Sequence, residues 1–121
     1  MDQTDYEIKI ISEPIMLDEL IKCMIAGPFS DMVKAVVDID KRIIGIGSDM
    51  HVDIEQLLLE QDSKQKNLWG INVWPEETDQ QYIEFDSMIN IRPRDNNRSR
   101  GVDSVEIQKN IKEIVNELIK K

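Results

Sequence analysis

Apolar residues along the chain follow two rhythms, and each rhythm predicts one kind of element. Residues 6–12 (YEIKIIS) set Ile8 and Ile10 between charged neighbours, the two-residue period of a half-buried strand. After Pro14 the period lengthens. Leu17, Leu20, Ile21, Met24 and Ile25 fall on one side of a helix, which Gly27 and Pro28 are placed to end. Residues 32–39 (MVKAVVDI) and 43–47 (IIGIG) are apolar at nearly every position and joined by Asp40, Lys41 and Arg42. That pattern predicts a β-hairpin of central strands covered on both faces.

A short helix is expected over residues 54–61, with Asp53 as its cap and Gln56 three residues on as a capping-box partner. Residues 68–74 (LWGINVW) and 82–92 (YIEFDSMINIR) read as a second strand pair around Pro75. In the longer strand Ile83, Phe85, Ser87, Ile89 and Ile91 should share one face, and Glu84, Asp86, Met88, Asn90 and Arg92 the other. Trp69 and Trp74, five apart, should face opposite ways, with at least one in the core. Asp103 with Glu106 three residues later opens a last helix, whose buried stripe is Ile107, Ile111, Ile114, Val115, Leu118 and Ile119. The lysines at its end suit the helix dipole. The order β-α-β-β-α-β-β-α predicts one α/β domain of the α+β type over residues 1–121. It would have a single layer of about five mostly antiparallel or mixed strands, with three helices packed on it.

Charge sharpens this picture. The chain has 24 acids against 15 Lys and Arg, a net charge of −9, and such a surface repels polyanions. Against that background residues 92–100 hold four arginines and one aspartate, a local charge of +3. Guanidinium forks bind phosphate or carboxylate bidentately. Arg92, Arg94, Arg98 and Arg100 are therefore candidate ligand-binding residues, with Asn90, Asn97 and Ser99 as neutral donors beside them. Gly101 would let a ligand approach the backbone. The alternative is that the arginines pair with surface carboxylates and only support the loop.

The chemistry-bearing residues elsewhere are sparse. One cysteine, Cys23, excludes an internal disulfide and a cysteine-based zinc site, and its apolar helical setting reads as packing. His51, Asp53 and Glu55 form an H-x-D-x-E run that could bind a metal or move protons. No second histidine exists for the usual zinc sites, however, and Asp53 is accounted for as a cap. His51, Asp53 and Asp86 are thus the weak catalytic candidates, and no metal or other cofactor is expected. No phosphate-binding glycine fingerprint or EF-hand loop is present. The acidic, polar first residues differ from a secretory leader, and the apolar runs fall short of a bilayer span, so the sequence reads as cytoplasmic and not membrane-bound.

Residues 31–47, 51–72 and 82–102 resemble a family of short archaeal and bacterial proteins known only as a domain of unknown function. Its tail pattern, F-D-S-x-I-N-I-R-P-x-x-x-N-R-S-R-G-V, is carried by residues 85–102. Members of that family more often have glycine before the serine at Ser63, where this chain has Asp62. The resemblance implies a stand-alone protein and assigns no activity.

Three readings follow. The first is a binding or regulatory domain for a phosphate-containing small molecule or an acidic peptide, held by the arginine loop. Nucleic acid is disfavoured, because the overall charge repels it and the loop has no aromatic platform. The second is a small enzyme whose arginines hold an anionic substrate while His51, Asp53 or Asp86 handles protons or a metal. The third is a structural or interaction protein without ligand chemistry.

Overall fold

The computed structural model describes residues 7–121, apart from the side chain of Asp79. The β-rich stretches assemble into one five-stranded antiparallel sheet. Its strands are β1 (Lys9–Ile11), β3 (Val33–Asp38), β4 (Ile43–Ile46), β5 (Leu68–Val73) and β6 (Ile83–Glu84), in the order β1-β4-β3-β5-β6. Two further short strands, β2 (Ile15–Met16) and β7 (Ile119–Lys120), pair in parallel away from that sheet. The helices are α1 (Leu17–Ala26), α2 (His51–Glu60) and α3 (Val105–Leu118). This is the α+β architecture with three helices that the residue pattern predicts. No helix among the described residues is long and apolar enough to cross a membrane.

The expected hairpin of β3 and β4 forms, with Asp38 opposite Ile43. Its turn is tied by the Asp38 carboxylate, which accepts from the Asp40 and Lys41 amides at 2.9 Å and from the Ser63 hydroxyl at 2.6 Å. Two crossovers span the hairpin. From β1 through α1 to β3 the chain skips β4, and from β4 through α2 to β5 it skips β3. Both steps run the same way across the sheet, but along oppositely directed strands. A common crossover hand must then put α1 and α2 on opposite faces.

They are on opposite faces. Leu20 and Met24 of α1, with Ile111, Ile114 and Val115 of α3, pack on Ala35, Val37, Ile44, Ile46, Trp69 and Ile71. Ile54 and Leu58 of α2 pack on Val36 and Leu68 on the other side. Covering both faces explains why the central strands carry almost no polar alternation. It also places Trp69 in the larger core, while Trp74 is half-buried at the strand end. Cys23 is half-buried against that same core.

The α2 face has a particular relief. The strand register aligns Gly45, Val36 and Gly70 in one row. A Cβ at Gly45 would lie 2.5 Å from Cγ2 of Ile54, and one at Gly70 would lie 2.5 Å from Cβ of Ser87. The two glycines are the space into which α2 and the Ser87 segment settle.

Several local expectations are corrected. Residues 82–92 do not form one strand. Pairing stops after Asn72 opposite Glu84 and Val73 opposite Ile83, and 3₁₀ turns follow at Met88–Asn90 and Pro93–Asp95. Ile83 and Phe85 join the larger core while Ile89 packs under α2, so the assumed single face is split between two layers. The cause is local. The Ser87 hydroxyl accepts from the Ile89 amide at 3.3 Å and turns the backbone out of the strand.

Asp53 does not cap α2. The helix begins two residues earlier at His51, and Ser48 organises its entry by accepting from the Met50 amide and donating to Asp53. Nor does Asp103 cap α3. Ser104 does, accepting from the Ile107 amide at 3.2 Å. Gly27 ends α1 in an extended conformation, not a left-handed one. Lys120 and Lys121 lie beyond the last turn of α3, in β7 and after it, so they are not the dipole partners expected. The first strand is shorter than predicted, and Tyr6 lies outside the described residues. Asp62 has φ of +75°, a conformation that favours glycine, which accounts for the glycine that the resemblance places there.

Gly45→Ala is expected to destabilise the protein by about 1–3 kcal/mol in urea unfolding, because the new methyl meets the Ile54 side chain. Combining it with Ile54→Ala, which removes Cγ2, should cost less than the two single changes added together, since that is the atom the new methyl meets.

Candidate functional site

The arginine loop is closed by its own hydrogen bonds. Arg92 and Asn97 form an antiparallel bridge, the Arg92 amide donating to the Asn97 carbonyl at 2.7 Å and the Asn97 amide to the Arg92 carbonyl at 3.1 Å. Asn96, in the left-handed region at φ of +63°, closes the turn between them. Asparagine tolerates that conformation better than most residues, which suits it to this place.

Two asparagine side chains then stand in for missing backbone pairing. Asn90 is fully buried. Its Oδ1 accepts from the Gly70 amide at 2.8 Å, and its Nδ2 donates to the Gly70 and Arg100 carbonyls at 3.0 and 2.8 Å. It thus occupies the edge of β5 that β6 leaves open. Asn97 Nδ2 donates to the carbonyls of Asn90, Ser99 and Gly101, and its Oδ1 accepts from the Asp103 amide at 2.7 Å.

Arg92 is also internal. Its guanidinium lies 4.2 Å from the centre of the Trp69 ring, and Nη1 donates to the carbonyls of Gln65 and Leu68 at 2.8 Å. Asp95 stands 3.5 Å from its Nε. Glu55, the third residue of the H-x-D-x-E run, is buried as well, and burial raises its pKa despite the nearby Arg92 charge. Glu55 Oε2 and Arg92 Nη2 are both buried with no hydrogen-bond partner among the described residues.

At the far end of the loop Ser99 donates to Asp103 at 2.6 Å and accepts from the Gly101 amide. The Ser99 hydroxyl and the Arg98 amide hold the Asp103 carboxyl below the usual carboxylate range. Arg100 pairs with Asp86 at 2.6 Å and reaches the Met88 sulfur.

The seven candidate ligand-binding residues therefore divide. Asn90, Arg92, Asn97 and Ser99 have polar atoms engaged within the fold, and Arg100 shares its charge with Asp86. Arg94 and Arg98 are exposed, and neither has an ion-pair partner among the described residues.

The catalytic candidates are placed differently. His51 opens α2 and is 7% exposed, with Nε2 2.8 Å from the Ile71 carbonyl, a contact that makes Nε2 the protonated nitrogen. Burial lowers its pKa from 6.5 to about 4, so it is neutral at neutral pH. The charges of Asp86 and Arg100 reach it, so the histidine and the end of the arginine loop share one neighbourhood. Asp53 is held by Ser48 instead. No group of three or more His, Cys, Asp or Glu side chains among the described residues could hold a metal ion. Asn72 of β5 donates to Glu84 at 2.9 Å.

Residues 9–118 match a family described as "Protein of unknown function (DUF5674)". The chain belongs to that family. No curated protein and no solved structure matches it. Within this family member the bonding pattern gives the arginine-loop segment a structural account. Asn90, Arg92, Asn97, Ser99 and Gly101 are all used to close the loop on the sheet.

Two measurements check the site. Asn97→Ala should cost about 2–3 kcal/mol in chemical denaturation, because it leaves buried backbone groups unpaired. Asn97→Asp, which keeps the shape but loses the donors, should be at least as damaging. For His51 the unfolded chain takes up a proton below pH 6.5 that the folded protein accepts only near pH 4. Its contribution is therefore complete above pH 6.5 and declines by up to about 3 kcal/mol as the pH falls through 4. The difference in stability between wild type and His51→Gln should change with pH across that window. A constant difference would refute the assignment.

Proposed function

We propose that the protein is a binding domain that takes an acidic ligand on the arginine loop, chiefly through Arg94 and Arg98. The observation that carries this reading is the contrast within the loop. Its asparagines and Arg92 anchor it to β5, while these two guanidinium groups are exposed without a carboxylate partner among the described residues. On a chain with 24 acids, two arginines of one loop with no ion-pair partner among the described residues are a marked arrangement. A rigid mount also reduces the ordering cost of binding.

Concavities along α1, along α3 and beside the turn between β5 and β6 are not lined by the loop. An open surface of this kind suits a phosphate group or carboxylates carried on a larger partner, such as an acidic peptide, better than an enclosed small molecule. Met88 and Ile91 beside the loop are exposed and add apolar contact area for such a partner. A catalytic reading has less support. His51 donates to a carbonyl, and its lowered pKa makes it a weak base at neutral pH.

Isothermal titration with an aspartate- and glutamate-rich peptide and with its phosphoserine counterpart tests the proposal. Binding should weaken as salt rises, and Arg94→Ala with Arg98→Ala should reduce affinity by about tenfold. Both positions are exposed, so the double variant should fold. Absence of binding by the wild type, or unchanged affinity in the variant, would overturn the reading.

A further inference from the structure

Among the described residues one helix, α2, covers its face of the sheet, since α1 and α3 both pack on the other. The outer side of α2 is exposed at Val52, Asp53, Gln56, Leu59 and Glu60. Helical spacing sorts these positions into two adjacent stripes. Val52 and Leu59 line up with Glu55, whereas Asp53, Gln56 and Glu60 form the next line.

The Glu55 line is the one beside the arginine loop. Glu55 feels the charge of Arg92, and Gln65 joins the two, its side chain bonding to Glu55 and its carbonyl accepting from Arg92 at 2.8 Å. Ile89, in the segment leading to the loop, packs under the same helix. Across this surface the order is therefore arginine loop, apolar stripe, acidic stripe.

Two properties set the surface apart. Eight large apolar side chains are exposed among the described residues, and five of them, Met50, Val52, Leu59, Met88 and Ile91, belong to α2, its entry and the loop segment. Such clustering marks an interaction surface. Charge is also separated across it. Residues 48–62 carry exposed Asp49, Asp53, Glu60 and Asp62 with buried Glu55, and no Lys or Arg, whereas residues 92–100 sum to +3. Bases stand at the ends of α2 instead. Lys34 reaches His51 with its charge, Lys41 donates to the Gln61 carbonyl, and Lys64 and Lys66 follow the helix.

We propose that two copies of the chain meet on this surface, about a two-fold axis running along the Val52–Leu59 stripe. That axis lays each arginine loop over the acidic stripe of the other copy and brings the two apolar stripes together. The contact is isologous, so the opposite charges are matched twice. A separate acidic peptide complements the loop but not the acidic stripe beside it, and a second copy complements both. The inference rests on the loop being an acid-binding surface, and it names the acid that the loop meets.

Sedimentation velocity with light scattering on the full chain tests it. Wild type should form a dimer at high micromolar concentration that weakens as salt rises. Arg94→Glu with Arg98→Glu should weaken dimerisation by about tenfold, and Gln56→Lys with Glu60→Lys should do the same. All four positions are exposed, so both variants should fold. Mixed in equal amounts, the two variants should form a heterodimer, because each reversed surface then faces its complement. A monomeric wild type, a dimer unaffected by either pair, or failure of the mixed variants to associate overturns the proposal. A monomeric wild type that still binds the acidic peptide overturns the dimer and leaves the acidic-ligand reading standing, whereas absence of both overturns the two together.

Discussion

The close approach of α2 to the sheet is the constraint on which the rest depends. It is possible because Gly45 and Gly70 flank Val36 in one row across the three central strands. Ile54 fills the space at Gly45, while His51 and Ser87 fill that at Gly70. A side chain at either glycine would lift α2, uncover Val36 and Leu68, and disturb the segment that turns into the arginine loop. The smaller core is thin, with Val36, Ile54, Leu58 and Leu68 as its fully buried members. Its fit therefore rests on contact distance more than on bulk.

The same row connects packing to the candidate site. Ser87 against Gly70 takes the chain out of strand geometry, and Asn90 then supplies to Gly70 the two hydrogen bonds that another strand would have made. Asn97 fastens the next turn onto Asn90, Ser99 and Gly101. Positive charge is thereby displayed on a frame whose polar groups are nearly all satisfied. The exceptions, Glu55 Oε2 and the remaining nitrogens of Arg92, are opposite charges buried near one another between α2 and the loop. Ordered water is the ordinary occupant of such a place.

Function and structure divide the arginines in a way that residue type alone does not reveal. Arg92 is a structural cation stacked on Trp69, Arg100 is shared with Asp86, and Arg94 and Arg98 face solvent. Family membership assigns no activity to any of them.

What the sequence determined by itself was the set of long, periodic elements. The helical stripe of α3, that of α1 apart from the exposed Ile25, the nearly continuous apolar runs of β3, β4 and β5, and the hairpin between β3 and β4 were legible because burial on one or both faces imposes its period on side-chain polarity. The charge island was legible as composition. Only the tertiary structure decided where strand gave way to turn after Glu84, since the alternation through Ile89 and Ile91 arises from burial in two different layers. Helix entries at His51 and Ser104 were likewise set by which hydroxyl reached an amide, when Asp53 and Asp103 were equally good caps by residue type. The roles of Asn90, Asn97 and Arg92 depended on partners 20 or more residues away or on a closed loop. A polar side chain reads the same in sequence whether it meets a ligand or a buried carbonyl, and the difference appears only when the chain has folded around it.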